Sequence, residues 1–100
     1  INIIKSNLIK GGYFDFKSIL KKLYKIGCRN LLVEGGNNLT KNILKKKLFN
    51  EFYLFKSFKD LSKSVTYKDF NSFDYLSQNY KNKSKIKTVL GKDTITLYKK

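Results

Sequence analysis

Methionine, proline, tryptophan and histidine are all absent from these 100 residues, and each absence removes a class of explanation. Without histidine there is no imidazole to act as a general base or to help hold zinc or haem. Cys28 is the single cysteine, so an internal disulfide is excluded and no thiolate cluster exists; no metal site is expected. The chain starts at Ile1 with no methionine anywhere, and is therefore expected to be a fragment of a longer product. No apolar run approaches the roughly 18 residues needed to cross a bilayer. Ile1 to Ile4 is too short for the core of a signal peptide. A cytoplasmic protein without a membrane partner is the expectation.

Acidic residues are scarce as well: seven stand against 22 basic ones, for a net charge of +15. Such a balance ordinarily points to nucleic acid, because clustered cations release phosphate counterions on binding. Yet all the basic residues but Arg29 are lysine, which lacks the planar fork used for bidentate phosphate and base recognition. The lysines are also spread over nearly the whole chain, as on solvated faces. No specific nucleic-acid partner is expected. With 41% apolar and 15% aromatic residues, the chain can bury one core, hiding roughly two thirds of its unfolded surface.

Ile1 to Ile4 reads as the end of a strand, and Gly11-Gly12 as the turn after it. Asp15 is placed to cap a helix whose apolar stripe is Phe16, Ile19, Leu20, Leu23 and Tyr24, ending at Gly27. Leu31-Leu32-Val33 is short and continuously apolar, which suits a buried parallel strand. A second helix carries Leu39, Ile43, Leu44 and Leu48 inward, and Glu51 to Phe55 forms a third strand rich in aromatics. The series is strand, helix, strand, helix, strand with right-handed crossovers, an α/β architecture. From Lys56 to Lys85 the pattern weakens, apart from a short helix around Phe73 to Tyr80. Ile86 to Leu90 and Thr94 to Tyr98 flank Gly91-Lys92-Asp93 as an antiparallel hairpin, with Tyr98 and the terminal lysines solvating an edge strand.

Chemistry concentrates at Val33-Glu34-Gly35-Gly36-Asn37-Asn38, where a strand hands over to a helix. Two glycines let a ligand approach the backbone, and the free N–H groups and positive dipole end of a helix start attract phosphate. Asn37 and Asn38 can cap the helix or bond a ligand, and Glu34 can accept from ligand hydroxyls or ring N–H groups. A tight turn beside an exposed charge is the plainer alternative, since a lone Gly-Gly is not the dinucleotide fingerprint.

Leu23-Tyr24-Lys25-Ile26-Gly27-Cys28-Arg29-Asn30-Leu31-Leu32-Val33-Glu34-Gly35-Gly36 resembles the C-terminal half of the riboflavin-biosynthesis pyrimidine reductases. In that family a helix ending near Gly leads into a strand closing on Val-Glu-Gly-Gly, then an amphipathic helix and a further strand; Leu48-Phe49-Asn50-Glu51-Phe52-Tyr53-Leu54 stands in its place. The likeness is firm from Leu20 to Phe55 and continues weakly to Leu90-Gly91-Lys92-Asp93-Thr94, similar to a closing Gly-x-Asp turn.

The resemblance implies a dihydrofolate-reductase-like three-layer fold, of which residues 1–100 are the C-terminal part, ending in an antiparallel hairpin. The N-terminal half of that single reductase domain is then expected to be absent. It further implies an NADPH-dependent reduction of 5-amino-6-(5-phosphoribosylamino)uracil to the ribitylamino product, in a chain that is a homodimer when full length. By position, Glu34 contacts the phosphorylated pyrimidine substrate, while Gly36, Asn37, Asn38, Leu39, Thr40, Lys41 and Asn42 lie along NADPH. No catalytic residue is assigned. Taken alone, the chain is expected to be inactive, with a sheet face or edge exposed where missing strands belong.

Asn50 departs from the family's usual Asp, and Ser57-Phe58-Lys59-Asp60-Leu61-Ser62 replaces a segment with Ala-Pro and Gly. Cys28 is expected to be a small core residue, since no histidine can activate it. The acids Asp15, Glu34, Glu51, Asp60, Asp69, Asp74 and Asp93 show no acid-base pairing in their spacing. A basic nucleic-acid-binding module and a decayed, non-catalytic remnant are the competing readings. Steep salt dependence of DNA binding distinguishes the first.

Overall fold

The computed structural model describes residues 3–59 and 70–100. Ile1, Asn2, Asp60, Leu61, Ser62 and Asp69 lie outside the described residues, and with them part of the first expected strand and of the segment replacing Ala-Pro. The elements in chain order are β1 (Leu8–Ile9), β2 (Tyr13–Phe14), α1 (Phe16–Lys25), α2 (Asn37–Lys45), β3 (Glu51–Lys56), α3 (Phe73–Asn79), β4 (Lys83–Ile86) and β5 (Thr94–Lys99). They fall into two compact units that divide between Glu34 and Gly35.

The first unit is built from local signals. β1 and β2 pair antiparallel, Leu8 with Phe14 and Ile9 with Tyr13, around Gly11 and Gly12, whose positive φ angles of 99° and 78° close the turn. Asp15 caps α1 as its sequence position predicts, its carboxylate accepting from the Ser18 N–H at 3.4 Å. At the other end Gly27 adopts φ 97°, its N–H donates to Tyr24 O, and the Cys28 N–H donates to Leu23 O. This double bond pattern satisfies carbonyls that the last turn leaves unpaired. Phe16, Ile19, Leu20 and Leu23 are half-buried, but Tyr24 is exposed rather than inward. Its ring carries the Arg29 guanidinium at 4.5 Å, and Arg29 also donates to the Tyr24 carbonyl.

Two expected strands are corrected here. Ile3 and Ile4 belong to no strand, and Leu31-Leu32-Val33 is irregular and exposed, Leu32 at 82%. A parallel strand draws its stability from neighbours on both sides, and among the described residues no strand pairs with either segment.

The second unit holds a core. β3, β5 and β4 form an antiparallel sheet in that order, with Phe52 opposite Tyr98, Leu54 opposite Thr96, and Lys83 opposite Tyr98 on the other side. Phe52, Leu54 and Tyr98 share one face, because paired residues point the same way and alternate residues repeat. Against that face α2 places Leu44 and α3 places Leu76. Together with Tyr80 and Tyr98 these are the buried core, flanked by Phe49, Phe70 and Tyr75. Full burial of a leucine side chain is worth roughly 1.5–3 kcal/mol. The Tyr80 hydroxyl donates to the Leu44 carbonyl at 2.8 Å, tying α3 to the end of α2. Burial, and to a smaller degree the charge of Tyr75, raises the Tyr80 hydroxyl above its ordinary pKa of 10.0.

The series of parallel strands is therefore replaced by antiparallel pairing: β3 bonds β5, from the far end of the chain. Tyr98 is buried, not solvating an edge, because β5 is the central strand. The closing hairpin is shorter than its apolar pattern predicts. β4 ends at Ile86, and Val89 and Leu90 sit in the connection, Val89 fully exposed. The short helix expected near Phe73 is present as α3.

Candidate functional site

The start of α2 combines open backbone with close packing. Gly36 is the N-cap in an extended conformation and no side chain caps the helix there. The first intrahelical bond runs from the Thr40 N–H to Gly36 O at 3.1 Å, so the Asn38 and Leu39 amides have no acceptor within the helix. Around the position a Gly36 Cβ would take, no heavy atom of a described residue beyond its two chain neighbours lies within 4 Å. A ligand can thus come against the backbone.

Gly35 serves a different purpose. A Cβ there would collide with Leu39 Cδ2 and lie 3.2 Å from Leu39 Cβ and Cγ. Leu39 folds back over the turn, and only hydrogen at position 35 leaves room for it.

Gly35, Gly36, Asn37, Asn38, Leu39 and Thr40 line an open depression of about 820 Å³, together with Phe70 and Asn71. Five of the seven residues expected along a cofactor are in that lining. Lys41 and Asn42 are not; the Asn42 side chain instead donates to the Asn38 carbonyl at 3.0 Å, within the helix. The Asn37 side chain accepts from the Asn71 N–H at 3.4 Å, so it holds the far wall in place instead of capping its own helix. Phe70 and Asn71 were missed by sequence reasoning, since nothing near them in the chain marks them as neighbours of a turn more than thirty residues earlier. Glu34 is exposed and directly precedes this turn in the chain, in the first unit.

The chemistry on offer is that of neutral donors: backbone N–H groups at the positive end of a helix dipole, the Thr40 hydroxyl and side-chain amides. These suit a phosphate. Among the described residues no acidic side chain lines the depression. Elsewhere three acids have structural partners: Asp15 caps α1, Asp93 accepts from the Phe58 N–H at 2.8 Å, and Glu51 accepts from the Tyr53 hydroxyl at 2.8 Å and pairs with Lys99 at 3.7 Å. The bond to Glu51, with some burial and the carboxylate's charge, raises the Tyr53 pKa above 10.0. Cys28 is half-buried, its thiol 3.4 Å from the Asn30 carbonyl. Among the described residues no group of three side chains is suited to a metal, and no helix is long and apolar enough to cross a membrane.

No curated protein and no solved structure matches the chain. A family model does: the one described as the RibD C-terminal domain matches residues 2–57. That span takes in α1, the Gly35-Gly36 turn, α2 and β3, more than half of the chain, and the chain belongs to the RibD C-terminal domain family of riboflavin-biosynthesis reductase domains.

Proposed function

We propose that the chain is the C-terminal part of an NADPH-dependent reductase domain that converts 5-amino-6-(5-phosphoribosylamino)uracil to its ribitylamino product. The observation that carries this reading is the family match across the glycine turn and α2. NADPH, when bound, supplies the hydride. The protein's own contribution is alignment, which converts an encounter of two reactants into a positioned pair. Asn38 and Leu39 offer their amides and Thr40 its hydroxyl to a cofactor phosphate, with Gly36 leaving the approach clear. Asn37 fixes the wall through Asn71, and Lys41 and Asn42 take the adjoining helix surface. Glu34, ahead of the turn, orients the phosphorylated pyrimidine by accepting hydrogen bonds.

In this reading the domain is dihydrofolate-reductase-like, with a third layer over the sheet face that carries Tyr53, Phe55, Ile95 and Leu97. Phe55 on that face is 67% exposed. The working form is a cytoplasmic homodimer.

The test is NADPH consumption by the purified protein in its natural full length, with the ribosylamino-pyrimidine phosphate as substrate and Glu34→Gln and Gly36→Val variants beside it. Substrate-dependent oxidation is expected, slowed in the first variant through a higher KM for substrate and in the second through a higher KM for NADPH. Absence of oxidation by the folded protein overturns the reading.

A further inference from the structure

A second concave surface lies on the three-stranded sheet, away from the α2 start. It is an open groove of about 670 Å³, and its lining among the described residues includes Lys56, Lys83, Lys85 and Lys92 but no acidic residue. The strand register explains the gathering. Lys56 of β3 is opposite Thr94, Lys85 of β4 is opposite Thr96, and Lys83 is opposite Tyr98, all on one face of the central strand. Ammonium groups therefore flank β5 on both sides, with the Thr94 and Thr96 hydroxyls between them. Neighbouring strands are about 4.8 Å apart and residues two apart on a strand lie about 6.8 Å apart, so the flanking rows are roughly 10 Å from each other.

Among the described residues none of these four lysine side chains has an ion pair or donates a hydrogen bond. The one salt bridge among the described residues is that of Lys99 with Glu51. Their recorded contacts are with rings: Lys92 is 4.6 Å from the centre of Phe58 and Lys56 is 6.0 Å from that of Phe73. Asp93, next to Lys92 in the chain, accepts from the Phe58 N–H through its carboxylate. Like charges that converge with no ion pair among the described residues raise the local positive potential, and a groove focuses it.

We propose that this groove binds a ligand carrying two or more linked phosphates. A single phosphate engages one row of lysines, whereas a phosphate chain spans both and accepts from the threonine floor. The volume is that of small-molecule sites, which run to roughly 300–1,000 Å³. A nucleoside polyphosphate and a free inorganic polyphosphate share this chemistry. The site stands apart from the NADPH reading, because it uses no residue of the depression at Gly36.

Calorimetric titration of the full protein in physiological salt with inorganic tripolyphosphate, orthophosphate and ATP tests it. Tripolyphosphate is expected to bind at one site, at least tenfold more tightly than orthophosphate. Lys56→Gln with Lys85→Gln should weaken binding about tenfold or more, Lys56→Arg with Lys85→Arg should retain it, and Lys17→Gln with Lys21→Gln on α1 should leave it unchanged. ATP binding more tightly than tripolyphosphate assigns a nucleotide, and equal or weaker binding assigns the free phosphate chain. The proposal is overturned if the α1 pair weakens binding as much as the groove pair, if tripolyphosphate binds without a saturable single site or not at all, or if a short oligothymidylate outcompetes it.

Discussion

Ahead of Gly35 no described residue is fully buried, whereas behind it Leu44, Leu76, Tyr80 and Tyr98 close around one another. Both regions contain an amphipathic helix of similar length, so helix-forming signals do not account for the difference. α1 and α2 even end alike. In each, the residue after the C-cap takes a positive φ, and two back-bonds cover the last carbonyls: Gly27 and Cys28 in one, Lys47 and Leu48 in the other. What separates the regions is long-range pairing. α2 has a sheet face to pack against, while α1 is accompanied by a hairpin of two-residue strands. Local motifs write a helix, but a core needs elements brought from far along the chain.

Four measurements bear on that contrast. Leu76→Ala should cost about 2–5 kcal/mol of unfolding free energy in urea, the usual range for emptying a packed leucine site. Leu20→Ala on the half-buried face of α1 should cost less than half as much; equal losses would break the distinction between the two regions. Gly35→Val is next, at roughly 1–3 kcal/mol, because the added carbons press on Leu39, whereas Gly36→Ala should stay within about 0.5 kcal/mol.

Tyr80→Phe should cost about 1 kcal/mol through the lost bond to Leu44 O. It should also change the alkaline limb of stability. Because burial raises the folded-state pKa of Tyr80 above 10.0, the folded form keeps a proton that the unfolded chain gives up. The contribution is therefore complete below about pH 10 and is lost as pH climbs through the raised value. The Phe variant should lose stability less steeply there, with Tyr53 still titrating, in a chemical-denaturation series across that range. An unchanged slope would show that Tyr80 titrates alike in both states.

The smallest effect concerns the matched helix ends. Lys47 holds φ 53° without being glycine, so Lys47→Gly should stabilise by up to about 1 kcal/mol, and Gly27→Ala should destabilise by about the same. Hydrogen exchange would extend the comparison residue by residue: amides in α1 should exchange faster than those in α2 and β5.

How far the sequence anticipates this structure follows the same division. Asp15, Gly27 and the apolar stripe of α2 act through residues three or four positions away, and their elements are where the pattern puts them. Tyr98 was misjudged because its partners, Phe52 and Lys83, lie on strands whose order no local feature records. Val89 and Leu90 look like strand residues, yet the ladder ends at Ile86, since pairing is decided by the opposite strand. Lys47 gives no glycine signal for its backbone geometry. At the candidate site, Gly35 through Thr40 are consecutive and stand out together, while Phe70 and Asn71 reach the same depression only through the tertiary fold. The lysine groove was hidden for a similar reason: an even scatter along the chain becomes a cluster once β3, β5 and β4 are aligned.

The strand order β3-β5-β4 also sets a timetable. β5 is synthesised after both of its neighbours, yet it lies between them and, among the described residues, supplies every ladder bond that either of them makes. During translation, β3 and β4 therefore emerge as two separate strands whose shared partner in this sheet is still to come. Pairings such as Glu51 with Lys99 close the longest loops in this unit, the kind of contact that slows folding and leaves unpaired edges available to other chains. The interval between the emergence of β4 and that of β5 is when this chain is most open to aggregation or chaperone capture.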